Sequence, residues 1–216
     1  MRVTKDPVER KNEIIDTASY LFAEKGYNSV TIADLAKELD IAKGTIFYYF
    51  TSKEELLDAV FEKFFNRISS IANKIADDEN LTAIEKLKKL TDINEVTAGD
   101  KKLLHFFETA PPPGNNHMIL KRLVLFISSI SPIITKIVKH GINEGTMQTK
   151  YPDEVAFMIT ALEKTIFLGL FECTHEELVR RMDAYLYVTE VILNLEEGTL
   201  DSLADNFITL TKILGV

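Results

Sequence analysis

The sequence is poor in cysteine, glycine and proline, and each shortage excludes a class of protein. Its one cysteine, Cys173, can form neither an intramolecular disulfide nor a cysteine zinc cluster, which fits a reducing cytoplasm. With 9 glycines and 6 prolines among 216 residues, the chain is not a low-complexity or linker-rich protein. Hydrophobic residues make up 46% of it, so we expect most of the chain to fold around a sizeable core.

Signals for export, metal binding and catalysis are also missing. The N-terminus becomes amphipathic without an uncharged apolar stretch, which disfavours a signal peptide or membrane insertion. Cys173 and His175 are two residues apart, but a nucleophile also needs an oriented base and an oxyanion site, so we interpret Cys173 as structural. No metal or cofactor is expected, because the histidines have no HxxxH or HExxH spacing: His105, His117, His140 and His175.

Helical periodicity is what the sequence has in abundance. Asp6 and Pro7 predict the start of a first helix that ends at Gly26. Later helix starts are predicted by a threonine or serine followed three residues on by an acid, at Thr31/Asp34, Ser52/Glu55, Thr82/Glu85 and Thr174/Glu177. Strand alternation is not convincing anywhere, so the pattern predicts an all-α protein. We expect a three-helix N-terminal domain over residues 1–52 and a larger helical domain over residues 53–216.

Residues 31–53 carry the most specific pattern. Two short helices joined by a three-residue turn match the helix-turn-helix, whose second helix enters the DNA major groove. Ile46 and Phe50 would pack this unit internally. Helix-start N–H groups, lysines and hydroxyls bind phosphate, and rings can lie against thymine methyls. The candidate DNA contacts are therefore those left at the start and outer face of the second helix: Lys43, Gly44, Thr45, Phe47, Tyr48 and Tyr49.

The charge of this region leaves two interpretations open. The whole chain has a net charge of -8, and residues 1–60 carry eight basic against eleven acidic side chains. Either the few lysines share one face and give a salt-sensitive affinity that depends on dimerisation, or DNA binding has been lost. We favour the first, because a decayed surface has no reason to keep Lys43, Gly44, Tyr48 and Tyr49 together. A satellite domain with aromatic core residues is the structural alternative.

Residues 10–57, centred on SVTIADLAKELDIAKGTIFYYFTSKEEL, resemble the DNA-binding domain of the TetR (tetracycline repressor) family. The resemblance implies that Thr31 and Lys53 hold phosphates from the starts of two helices. It further implies that Gly44 allows close backbone approach, and that Thr45 and Tyr49 lie near base edges.

The same resemblance places Tyr48 on a phosphate or a thymine methyl. Phe47 stands where the family usually has tyrosine, so a phenolic phosphate contact is lost there. The resemblance to this family implies the function of a ligand-responsive, sequence-specific regulator, usually a repressor, that binds a palindromic operator as a dimer. A small-molecule effector would release it.

The larger domain shows excess apolar surface. Residues 155–171 are apolar around the whole helix, which must then be covered on more than one side. Together with the next helix it would form half of a symmetric four-helix dimer interface, as TetR-like proteins have in their last two large helices. The dimer candidates are Leu162, Ile166, Leu170, Leu178, Met182, Tyr185, Leu186, Thr189, Ile192 and Leu193.

An effector pocket would also lie in the larger domain and would take an apolar or amphipathic molecule. Its candidate lining is Phe64, Phe65, Ile68, Leu104, Phe107, Phe126, Ile130, Met158 and Phe167, with Glu108, His117 and Glu163 as polar anchors. Either acid leaves room for a cationic molecule. Aromatic residues at helical spacing more often belong to a hydrophobic core, so the alternative interpretation is that these positions pack the core and line no pocket.

Two other functions compete with the regulator. One is a dimeric small-molecule sensor that does not engage DNA, which the acidic balance of residues 1–60 would support. The other is an all-α enzyme, although no assembled catalytic site is evident. A test of DNA binding would distinguish the regulator from the sensor, and turnover dependent on Cys173 would identify the enzyme.

Overall fold

The computed structural model describes residues 6–92, 105–106, 116–167 and 174–207. Within these ranges there are helices and turns but no strand, which confirms the all-α prediction. The α-helices are α1 (Pro7–Lys25), α2 (Ile32–Glu38), α3 (Lys43–Tyr49), α4 (Lys53–Ala76), α5 (Ala83–Thr91), α6 (Asn116–Glu144), α7 (Pro152–Phe167) and α8 (His175–Leu193). Short 3-10 turns follow α1 at Tyr27–Ser29 and α8 at Asp201–Leu203.

The described residues belong to two compact units. The first contains residues 6–64 and 105–106, and the second contains residues 65–92, 116–167 and 174–207. Helix α4 contributes to both, since Phe64 is counted with the first and Phe65 with the second. The expected division after residue 52 stays a prediction.

The first unit is built on α1. The Asp6 carboxylate accepts the N–H groups of Val8 and Glu9, and Gly26 ends the helix at a φ of 79°, which favours glycine. The apolar side of the helix is buried at Ile14, Ile15, Ala18, Leu21 and Phe22. The Phe106 ring packs 6.0 Å from Phe22 and 6.2 Å from Phe61, centroid to centroid.

Threonine caps begin three helices as predicted. Thr31, Thr82 and Thr174 each form a capping box with the acid three residues later. The box expected at Ser52 differs in its second half. Ser52 Oγ accepts the Glu55 N–H at 3.1 Å, but the Glu55 carboxylate accepts the N–H and the hydroxyl of Thr51, at 2.6 and 2.7 Å. Thr51 offers two donors to one carboxylate oxygen, which the Ser52 N–H alone cannot match.

The second unit is organised around α6. This helix runs parallel to α4, because Phe126 meets Phe65 while Lys136 binds Asp77. It runs antiparallel to α7, because Phe126 lies against Lys164 while Lys139 binds Asp153. Residues 119–144 are long and apolar enough to cross a membrane by length and composition, as core helices often are. Here α6 packs against α7 and α5, and its buried side chains include Ile130, Ile133, Ile134, Ile137 and Val138.

Helix α8 corrects the expected dimer face. Leu178, Met182 and Leu186 are buried in a cluster with Leu200, Leu203 and Phe207, inside their own unit. Thr189 and Leu193 are buried as well. All five predicted interface positions are buried, and Leu178, Met182 and Leu186 are buried because the chain after α8 folds back and covers that side of the helix.

The turn after α8 depends on a buried carboxylate. Glu190 is buried, and its two oxygens accept the N–H groups of Gly198 at 3.1 Å and Leu200 at 2.7 Å. The turn that carries the rest of the cluster is therefore tied to α8 by one side chain.

We expect Glu190→Ala to lower the free energy of unfolding by about 2–3 kcal/mol, because two backbone donors lose their acceptor. Urea denaturation measures this loss. Glu197→Ala removes an exposed carboxylate from the same turn and is the matched control. Equal unfolding midpoints for the two variants would contradict the role given to Glu190.

Candidate nucleic-acid interface

Helices α2 and α3 form the predicted helix-turn-helix. Between them Asp40 adopts a left-handed φ of 50°, which a short polar side chain tolerates better than a branched one. The Ile41 N–H returns to the Ala36 carbonyl at 3.0 Å and closes the turn. The chain reverses within four residues, so α3 begins at Lys43 as expected.

One side of α3 is anchored in the core of the first unit. Ile46 and Phe50, one helical turn apart, are buried as predicted, and Leu35 of α2 is buried too. The ammonium of Lys11 lies 5.5 Å from the centroid of the Phe50 ring. This burial determines which side of α3 faces outward.

The outward side carries the predicted DNA contacts. Tyr48 is 81% exposed and half of Phe47 is exposed, while Tyr49 is partly exposed and meets Tyr48 edge-on at 5.0 Å. Lys43 and Gly44 are exposed at the helix start, and Thr45 is partly exposed. The structure thus brings these six residues to one helix surface.

Thr31 is placed at the start of α2, but its hydroxyl is already engaged. It donates to the Asp34 carboxylate at 2.6 Å and accepts the Asp34 N–H at 3.2 Å. The hydroxyl and N–H of Thr31 lower the pKa of Asp34. For the hydroxyl of Thr31 to donate a hydrogen bond to a phosphate, as predicted, it must stop donating to the Asp34 carboxylate.

Lys53 starts α4 and is bound to a residue that the sequence analysis did not single out. Its ammonium donates to the carbonyl oxygen of Tyr27 and lies 4.0 Å from the centroid of that ring. Partial burial lowers the pKa of Lys53. No local sequence pattern indicates this contact, because the two residues are 26 positions apart.

Tyr27 also binds an acid. Its hydroxyl donates to the Glu54 carboxylate at 3.4 Å. Burial first, and then the charge of Glu54 and this hydrogen bond, raise the pKa of Tyr27 to about 12. The tyrosine therefore stays neutral, with a cation at its ring and an anion at its hydroxyl.

The expected effector lining is only partly brought together. Phe65 and Phe126 meet edge-on at 6.2 Å in the second unit, where Ile68 and Ile130 are buried. Phe64 is buried in the first unit. Leu104, Phe107 and Glu108 lie outside the described residues, as do the side chains of His117 and Phe167.

Two other effector candidates have different surroundings from those expected. Met158 is 53% exposed and lines a surface groove between α6 and α7, so it is not an interior pocket residue. Glu163 is partly buried. The pKa of Tyr185 is raised first by the burial of Tyr185 and then by the negative charge of Glu163. A cation that the sequence analysis missed, Lys164, lies 4.8 Å from the Phe126 ring centroid.

Of the remaining dimer candidates, Leu162 is exposed and Ile192 is partly buried, while Leu170 lies outside the described residues. Ile166 and Tyr185 pack against the core cluster that contains Met182, and the Tyr185 ring meets Phe207 edge-on at 5.9 Å. The large apolar side chains that α7 and α8 expose are Phe157, Met158, Leu162, Tyr187, Val188 and Val191.

Two family models match this chain. The model of bacterial regulatory proteins of the tetR family matches residues 14–60, and the model of the tetracyclin repressor-like C-terminal domain matches residues 107–188. Together they cover more than half of the chain.

Curated relatives match over shorter stretches. The uncharacterized HTH-type transcriptional regulator YuxN of Bacillus subtilis strain 168 is 44% identical over 82 residues, which are 36% of this chain and 28% of that protein. The HTH-type transcriptional repressor KstR2 of Mycolicibacterium smegmatis is 30% identical over 87 residues, 40% of each chain. The matches thus span 28% to 40% of these relatives' own length.

Solved structures share the fold over most of the chain. RolR in complex with resorcinol has a TM-score of 0.59 at 15% identity, over 91% of this chain and 93% of that one. At this identity the similarity concerns the fold alone. Because models of one family match both the helix-turn-helix and the larger helical domain, the chain belongs to the tetR family of bacterial regulatory proteins, which are transcriptional regulators and not enzymes.

Proposed function

We propose that this protein is a cytoplasmic repressor that binds a palindromic operator as a homodimer and leaves it when a small effector binds. The observation that carries the proposal is the outward side of α3. Four consecutive ring-bearing residues begin at Phe47; the last, Phe50, is buried, whereas Tyr48 is 81% exposed. A ring that contributes so little to the core is best explained by an external partner.

Gly44 supports the same partner. A Cβ built at this position would meet nothing within 4 Å, so internal packing among the described residues does not require glycine there. Glycine without an internal reason is expected where another backbone approaches closely. Next to Lys43 and Thr45, that neighbour is best explained as the DNA sugar-phosphate chain.

The operator would be read by two α3 helices at once. In a symmetric dimer they enter successive major grooves, about 34 Å apart or a multiple of that distance. An effector that binds better to a dimer with another separation of these helices would release the DNA, through its differential affinity for the two states. Neither α3 needs to be remodelled.

Selection of random duplex DNA on the purified protein tests this function, at low and at physiological salt. We expect an inverted repeat with one half-site for each α3. The absence of enrichment at both salt concentrations would overturn the proposal and favour the sensor that does not engage DNA.

We expect Tyr48→Ala to weaken binding to the selected operator about ten- to thirtyfold, because each protomer loses a ring contact and a hydroxyl contact. Fluorescence anisotropy with labelled operator measures this change. Tyr20→Ala is the control, since Tyr20 is 62% exposed in the same unit but lies on α1. Comparable losses of affinity for both variants would show that Tyr48 does not contact the operator.

The effector site that we propose includes the Phe65 and Phe126 contact. Lys164 lies against the Phe126 ring, and Arg122 precedes Phe126 by one turn of α6; both cations are only 4% exposed. Aromatic rings in this surrounding suit the small apolar or amphipathic molecule that the sequence predicts. The RolR structure holds resorcinol, a small aromatic molecule, within a similar fold.

The homodimer that we propose uses a corrected face. Leu162 is retained from the sequence analysis, and the outer side of α8 contributes Tyr187, Val188 and Val191 in place of its core residues. Exposed apolar side chains on two packed helices make a surface that a second copy could cover isologously.

We expect Val191→Glu to convert the dimer into a monomer at micromolar concentration, because the interface would bury an unpaired charge. Sedimentation velocity measures the mass. Val191 is 60% exposed, and Val124→Glu, at a 63% exposed position on α6, is the matched control. A dimer that tolerates Val191→Glu as well as Val124→Glu would refute this face.

A further inference from the structure

We propose that Tyr27 is a positioning residue for DNA binding, which holds the Lys53 ammonium at the start of α4 ready for a phosphate. The inference rests on the proposed function, in which Lys53 contacts the operator backbone. Tyr27 itself precedes the helix-turn-helix and need not touch DNA.

Tyr27 binds the ammonium in two ways. Its carbonyl oxygen accepts one N–H, and its ring lies below the charge with the centroid 4.0 Å from Nζ. The Phe22 ring lies farther away, 5.8 Å from the same atom. An ammonium has three donors, so two remain for a phosphate, and the Lys53 side chain stays partly exposed.

The tyrosine is itself fixed at both ends. Its ring packs edge-on against Phe22 at 5.3 Å, and Phe22 is fully buried. Its hydroxyl binds Glu54 at 3.4 Å. Its carbonyl belongs to the 3-10 turn that follows Gly26, where it also accepts the Val30 N–H. The site offered to Lys53 therefore exists before any DNA arrives.

Positioning matters because lysine is a flexible point charge. Its four-carbon stem has a large rotamer entropy, part of which is lost when a phosphate contact orders it. A lysine that is already ordered loses less on binding, which is the general benefit of preorganisation. In a domain with more acids than bases, each well-placed cation has a larger share of the affinity.

The ring and the hydroxyl of Tyr27 can be tested separately. Tyr27→Phe keeps the ring and the carbonyl and removes only the bond to Glu54. Tyr27→Leu removes the ring face, and Tyr27→Met is a second variant that fills the space with an adaptable side chain. Positioning of Lys53 requires the ring, so Tyr27→Phe serves as the matched control.

The experiment is a double-mutant cycle on operator affinity, with the full-length protein over a series of salt concentrations. We expect Lys53→Ala to weaken binding and to reduce the salt slope by about 0.9 for each protomer. Tyr27→Leu and Tyr27→Met should weaken binding three- to fivefold when Lys53 is present, and not at all in the Lys53→Ala background. Tyr27→Phe, the conservative variant that keeps the ring, should weaken binding less than either of them.

Equal losses in both backgrounds would overturn the proposal, since they would make Tyr27 a structural residue only. Strong operator binding with an unchanged salt slope in Lys53→Ala would overturn it as well, by removing the phosphate contact. Neither result touches the proposed function, which fails only if no operator is bound. NMR gives an independent check in free protein: Lys53 ε-methylene protons at random-coil shifts would exclude the ring contact.

Discussion

The burial of Ile46 and Phe50 is the constraint on which the proposed DNA-binding surface depends. Helix α3 has seven residues, too few for a helix to persist in water without tertiary support. Because these two side chains are buried in the first unit, α3 keeps one orientation. The exposure of Tyr48 and Phe47 follows from that burial, since they lie at the intervening positions of the same helix. Core packing and the candidate interface are thus two sides of one short element.

The aromatic residues behind α3 connect that surface to the start of α4. Phe22 packs against Phe106 on one side and Tyr27 on another, and Tyr27 holds Lys53. The Lys53 ammonium, which we propose as a phosphate contact, is therefore held by a ring that packs on the core. The first 60 residues carry more acidic than basic side chains. The affinity for DNA that we propose must therefore depend on where each lysine is held, rather than on an excess of lysines.

The second unit shows why a helix with several apolar sides is hard to interpret. Helix α8 carries enough apolar residues for a core face and an outer face, and periodicity marks both equally. The segment after α8 decides between them, because Leu200, Leu203 and Phe207 cover the side with Met182. Val188 and Val191 are left outside. The same reasoning separates Phe126, which meets Phe65 and Lys164, from the exposed Met158.

The sequence by itself determined the helical class, three threonine caps and the two sides of α3. Each depends on residues three or four positions apart, whose contacts are local and follow from helix geometry. The tertiary structure decided which side of α8 is core and that Lys53 binds Tyr27. Side chains such as Lys53 and Tyr27, 26 positions apart, meet only when the chain between them has folded. Local periodicity carries no information about such pairs.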